Sequence, residues 1–187
     1  MEQQKERILE ATLQIFNEKG MKFTMDEVAA ALHVSKKTIY KVFNDKESMF
    51  LEGVDFIFRK IKESERAVIE NTELSTIEKI KAILAVMPDS YREIDFSKMV
   101  LVMEKYPEIY LEVHKRLETG WENTIELIER GKEEGVIRKD IPTLLIKHIY
   151  EASLEKFLQG ERLKELGFSY TEGLVRVVEV ILEGIRA

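Results

Sequence analysis

The chain has 187 residues, 44% of them hydrophobic and 34% charged, which gives enough apolar material for a folded core and excludes intrinsic disorder. It has no cysteine, which excludes a disulfide framework and thiolate zinc sites, and no apolar run approaches the roughly 20 residues of a membrane span. The formal charge is −6, but eight of the 29 basic and eight of the 35 acidic residues lie in the first fifty positions, so the excess belongs entirely to the remainder.

Only 3 prolines and 9 glycines interrupt a sequence rich in Leu, Ile, Glu and Lys, and nearly every segment reads with helical period. The charged start, MEQQKERILEA, does not fit a secretory signal. The expectation is an all-α, cytoplasmic protein with no membrane partner. A first helix is predicted over residues 3–19, with Ile8, Leu9, Leu13, Ile15 and Phe16 along one side and Gly20 as its stop. Thr24, followed three positions later by Glu27, is a capping-box start for a short helix ending near Leu32. Ser35 caps a third helix over 36–43, and Asp45 caps a fourth that continues to about residue 70. Further helices are predicted over 76–87, ended or kinked by Pro88; over 96–105; over 107–134, with Pro107 in the first turn; over 142–164; and over 171–185. About nine helices result, without strand alternation, an internal repeat or a low-complexity linker. The expected division is into residues 1–47 and 48–187, with the boundary inside the fourth helix.

The segment FTMDEVAAALHVSKKTIYKVFNDKESMF holds two short helices around a turn at His33-Val34. Val28, Ala29, Leu32, Val34, Ile39 and Phe43 supply apolar contacts, and Ala29 and Ala30 are small enough for close helix approach. Burying Ile39 and Phe43 leaves Lys36, Lys37, Thr38, Tyr40 and Lys41 outward, a set suited to a major groove about 12 Å wide. Lysines reach phosphates or guanine edges, threonine meets a thymine methyl or polar edge, and Tyr40 donates to phosphate. Thr24 and Lys46, beside helix N-termini, make flanking clamps, whereas Asp45 serves as a cap. A Lys-rich short helix standing alone reads as a solvated face. Here cap, turn length, apolar positions and local charge agree on a helix-turn-helix.

Two stretches, ILEATLQIFNEKG and the segment from Phe23 to Phe50 quoted above, resemble the tetracycline-repressor (TetR/AcrR-type) family. The motif covers about the first quarter of the chain, and the rest agrees in helix order and size. The resemblance implies a three-helix DNA-binding domain in 1–47 and a larger helical effector-binding and dimerisation domain in 48–187. It also implies repression relieved by a small molecule. It places DNA contacts on Thr24, Lys36, Lys37, Thr38, Tyr40 and Lys46. Two positions depart from the pattern: His33 stands where glycine is common, and Val42 where Tyr or His often lies.

In the larger part no catalytic constellation occurs: there is no G-x-S-x-G, no phosphate-cradling glycine loop and no H-E-x-x-H. His114 and Glu118 share an i,i+4 face, but ordinary polar histidines are the plainer reading, so no metal and no cofactor is expected. Met87, Phe96, Met99, Met103, Tyr106, Tyr110, Leu117 and Trp121 cluster in the middle helices, where adaptable methionines and broad aromatics suit either an effector pocket or a filled core. Ile149, Ala152 and Phe157, with Val178, Ile181 and Ile185, mark the last two helices as the expected homodimer interface. The function expected is a DNA-binding regulator: a repressor that holds a palindromic operator as a dimer and is released by an apolar or amphipathic effector. The alternatives are an effector-independent DNA-binding dimer and, from another class, a helical interaction protein or enzyme.

Overall fold

The structure, a computed structural model, describes residues 2–158 and 162–187. Among these it is all-helical, with an isolated bridge between Ile137 and Arg186 in place of any named strand. Helix α1 (Glu2–Lys19) buries Ile8, Leu9, Thr12, Leu13 and Phe16, and gives way at Gly20 to a 3-10 turn. Helix α2 (Met25–Ala31) starts on the capping box: the Thr24 hydroxyl accepts from the Glu27 amide at 3.2 Å, and Glu27 Oε2 accepts the Thr24 amide at 2.7 Å. It ends in a Schellman turn, with the Val34 amide on the Ala29 carbonyl and the His33 amide on the Ala30 carbonyl. His33 occupies the left-handed position at φ 54°, a place glycine usually takes and histidine tolerates better than most. Helix α3 (Lys36–Tyr40) follows from its Ser35 cap, and α4 (Lys46–Glu70) from the Asp45–Ser48 capping box.

Helix α5 (Thr76–Leu84) stops four residues before Pro88, and two 3-10 turns carry the chain to α6 (Met99–Lys105). The single helix expected over 107–134 is two helices, α7 (Pro107–Glu118) and α8 (Glu122–Glu133), parted at Gly120, whose φ is +76°. A tertiary bond accompanies that break, because the Lys62 ammonium on α4 donates to the Gly120 carbonyl. Beyond it lie α9 (Thr143–Leu158), α10 (Arg162–Glu165) and α11 (Tyr170–Ile185); of the helix expected over 142–164, residues 159–161 lie outside the described residues. The all-helical architecture expected from the sequence is the one found among the described residues.

Two apolar cores organise the chain. The first joins Phe16, Phe23, Val28, Ile39 and Phe43 of the N-terminal helices to Phe50, Val54 and Phe56 of α4, and onward to Met99, Met103 and Leu117. Phe50 sits edge-to-face with Phe16 and Phe23 at 5.5 and 5.8 Å and touches Tyr106 at 6.2 Å. The second gathers Ile80 and Leu84 of α5, Ile128 of α8, Ile146 and Tyr150 of α9, and Val178, Ile181, Leu182 and Ile185 of α11. No helix among the described residues is long and apolar enough to cross a membrane.

Candidate nucleic-acid interface and ligand cavity

Helix α3 has five residues, and its buried member is Ile39. Lys36, Lys37, Tyr40 and Lys41 fall within about 140° of arc at 100° per residue, so all four lie on one exposed face. They are not equivalent. Lys36 is held by Asp26 at 2.8 Å, which raises its pKa, and lies 5.9 Å from the Tyr40 ring. Lys37 and Lys41 make no ion pair among the described residues. The Thr38 hydroxyl lies 2.8 Å from that of Ser35, which caps the helix.

The two flanking clamps are also engaged within the chain. Thr24 serves the α2 cap, and its hydroxyl donates to Glu27 Oε2 at 3.2 Å. Lys46 turns inward, donating to the Met21 carbonyl at 3.1 Å with its ammonium 4.4 Å from the centre of the Phe23 ring. Burial pushes its pKa down, and the nearby Lys105 adds to that. Sequence spacing could place Lys46 at a helix start but could not see the carbonyl and ring waiting there.

The middle helices enclose a cavity of about 140 Å³ against α4, with walls from Ile57, Phe58, Ile61, Met99, Val113 and Leu154 among others. Met87, Phe96, Met99, Met103, Leu117 and Trp121 line it, as the sequence reading grouped them. Tyr106 and Tyr110 do not: Tyr106 packs on Phe50, and Tyr110 lies half exposed, stacked on His114. One end of this apolar space is polar. Glu65, 7% exposed, pairs with Lys62 at 2.7 Å, and Arg116, bonded to Asp55 and Glu112, also lines the wall. Burial pushes the Glu65 carboxyl up, against the pull of Lys62, and the charge of Glu122 pushes the same way as burial. The sequence reading missed Lys62 and Glu65 because an i,i+3 pair on a charged helix reads as a solvated face. The available signal was register: Phe58, Ile61, Lys62 and Glu65 follow one another at i, i+3, i+4 and i+7 on a single stripe.

The segment between α5 and α6 supplies Val86, Met87 and Phe96 to the cavity and is tied back to α1. Asn17 Nδ2 donates to the Glu93 carbonyl at 2.9 Å, its Oδ1 accepts the Asp95 amide at 2.7 Å, and Lys98 donates to its main-chain carbonyl.

The surface of the last long helices departs from the expected interface. Val178, Ile181 and Ile185 are buried in the second core, and Phe157 is half-buried against Tyr170, so none of the four forms an outward apolar strip. Helix α11 has one strongly apolar side, and it turns that side inward. The outward apolar residues are Leu144, Leu145, Ile149 and Ala152 on one face of α9, with Val180 of α11, which is 73% exposed. The histidines stay apart: His114 pairs with Glu118 and His148 with Glu151, each at 3.2 Å, and no cluster of three metal-ligating groups forms among the described residues.

Residues 8–52 match the family described as bacterial regulatory proteins, tetR family. An uncharacterized HTH-type transcriptional regulator, YvaF, of Bacillus subtilis (strain 168) is 28% identical over 181 residues, covering 97% of this chain and 95% of that one. Among solved structures, the regulatory protein TetR from Rhodobacter sphaeroides superposes with a TM-score of 0.74 at 16% identity, over 96% of this chain and 97% of that one. The fatty acid degradation regulator FadR from Bacillus halodurans superposes with a TM-score of 0.66 at 20% identity, over 96% and 94%. At these identities the likeness to solved structures is one of fold.

Proposed function

We propose that this chain, which belongs to the tetR family of bacterial regulatory proteins and is a DNA-binding transcriptional regulator rather than an enzyme, is a homodimeric repressor released from its operator by a small apolar or amphipathic effector. The observation that carries this reading is the continuity of the first core. Helix α4 begins at Lys46 beside the helix-turn-helix and runs on to form a wall of the cavity, while Asn17 ties the opposite wall to α1. An effector that enlarges the cavity therefore loads two connections to the DNA-binding helices. Rigid packed elements shift between discrete arrangements, and differential affinity of about 1.4 kcal/mol changes operator affinity about tenfold.

In this reading Lys37 and Lys41 are the phosphate contacts freest to act, and Thr38 and Tyr40 complete the groove-facing set. The Lys36, Thr24 and Lys46 contacts require exchange of an internal partner. Residues 1–47 are assigned to DNA and 48–187 to effector and pairing. A second copy of the chain covers Leu145, Ile149, Ala152 and Val180 in a symmetric helical contact, which sets two recognition helices about 34–36 Å apart along one groove face.

Operator selection from random duplex DNA, followed by salt titration, tests the reading. The Lys37→Ala protein should keep its fold and lower the salt slope of operator binding by about one. An unchanged slope, or selection that returns no preferred sequence, would count against it.

A further inference from the structure

We propose that the polar end of the cavity takes an organic cation: an amphiphile whose apolar body fills the cavity and whose protonated amine replaces the Lys62 ammonium between the Glu65 carboxylate and the Gly120 carbonyl. The inference rests on reading the cavity as an effector site.

The seat is defined by acceptors. Lys62 Nζ donates to Glu65 Oε2 at 2.7 Å and to the Gly120 carbonyl at 2.5 Å. The fit is close, since a Cβ on Gly120 would lie 3.1 Å from Lys62 Cε. The two partners differ in freedom: the Lys62 side chain is 40% exposed and the Glu65 side chain 10%. The lysine reaches in from the mouth and can return to water on its flexible stem, whereas the carboxylate stays behind. Withdrawing the lysine alone would leave a buried, unpaired charge, which is strongly unfavourable, so the exchange needs an incoming cation.

The surrounding charge favours the same sign. Glu65, Glu122, the Asp55 and Glu112 that hold Arg116, and the Glu151 that pairs with Lys147 outnumber the three cations Lys62, Arg116 and Lys147. An anionic headgroup would enter a net negative field and meet Glu65 directly. Trp121 and Tyr150 stand edge-to-face at 5.8 Å on the cavity wall. Their polar hydrogens are already given to the Leu117 and Leu84 carbonyls, and the Lys147 ammonium lies 5.7 Å from the Trp121 ring centre, so this aromatic wall already accepts a cation within the chain. The swap also links binding to DNA release, because it removes a hydrogen bond between α4 and the α7–α8 corner.

Trp121 is the single tryptophan and lines the cavity, so its fluorescence reports occupancy. Titration at neutral pH with octylammonium, octanol and octanoate compares three headgroups on one tail. Octylammonium should bind at least about tenfold more tightly than octanoate, in line with the cost of juxtaposing like charges. Glu65→Gln should abolish that preference and leave octanol binding in place. Glu65→Asp, which keeps the charge, should retain it, and Lys62→Met should strengthen octylammonium binding by removing its internal rival. Equal or tighter octanoate binding, or a preference that survives Glu65→Gln, overturns the proposal while leaving the cavity an effector site. Failure of all three probes to bind overturns both.

Discussion

The two cores differ in what they join. The first runs without interruption from the helix-turn-helix, through the aromatic contacts of Phe50, to the methionines of the cavity. The second packs α5, α8, α9 and α11 around Ile128 and Val178, and it meets the cavity along one wall, through Ile83, Leu84 and Tyr150 with Trp121 and Leu154 packed against them. In packing terms the N-terminal helices therefore belong with the cavity, and the second core packs beside them. Close-packed interiors transmit strain, so on the proposed effector response a change of cavity volume should load the first core more than the second.

The largest expected effect comes from cutting the first core at its junction. Phe50→Ala should cost about 3–5 kcal/mol in urea denaturation, since it removes contacts to Phe16, Phe23 and Tyr106 together. Ile128→Ala in the second core should cost about 2–5 kcal/mol and, at matched stability, leave operator affinity nearer the parent value. If Phe50→Ala splits unfolding into two transitions while Ile128→Ala does not, the junction is the coupling point. If both variants weaken operator binding equally, the distinction between the cores fails.

A smaller effect is expected at the latch. Asn17→Ala removes two hydrogen bonds to the segment before α6 and should cost about 1–2 kcal/mol. More telling is the coupling: effector addition should change operator affinity less in the variant than in the parent. An undiminished response would leave α4 as the sole connection.

Glu65 gives a test through pH. Burial raises its carboxyl above the ordinary value near 4.5, so the folded state binds this proton more readily than the unfolded chain does. Its unfavourable contribution is full above the folded pKa and fades as pH falls through that value toward 4.5. Denaturation midpoints of the parent, relative to Glu65→Gln, should therefore improve on acidification across that window. A difference that is flat or of opposite sign would show that the Lys62 pairing outweighs burial.

The smallest effect on stability belongs to the outer face of α9. Ile149 is half exposed, so Ile149→Glu should change folding stability by no more than about 0.5 kcal/mol. It should nonetheless move the sedimentation of the chain from dimer to monomer. A variant that stays dimeric would place the pairing surface elsewhere.

What could be read from residues alone was what depends on near neighbours in the chain. The Thr24, Ser35 and Asp45 caps, the turn at His33 and the outward face of α3 all follow from hydrogen bonds and spacings within a few positions. So does the all-helical class, which rests on a periodicity repeated in every segment. Other features needed partners distant in sequence. A glycine inside a helical pattern costs only about 1 kcal/mol, so Gly120 could not announce a break until Lys62 met its carbonyl. The apolar side of α11 was plain, but whether it faced its own core or a second copy depended on where α5 and α9 came to rest. For the same reason Lys46 read as an outward clamp beside a helix start, and the Lys62–Glu65 pair as a solvated face. Burial is a property of the assembled fold, and a long charged side chain shows its environment only once the surrounding helices have packed.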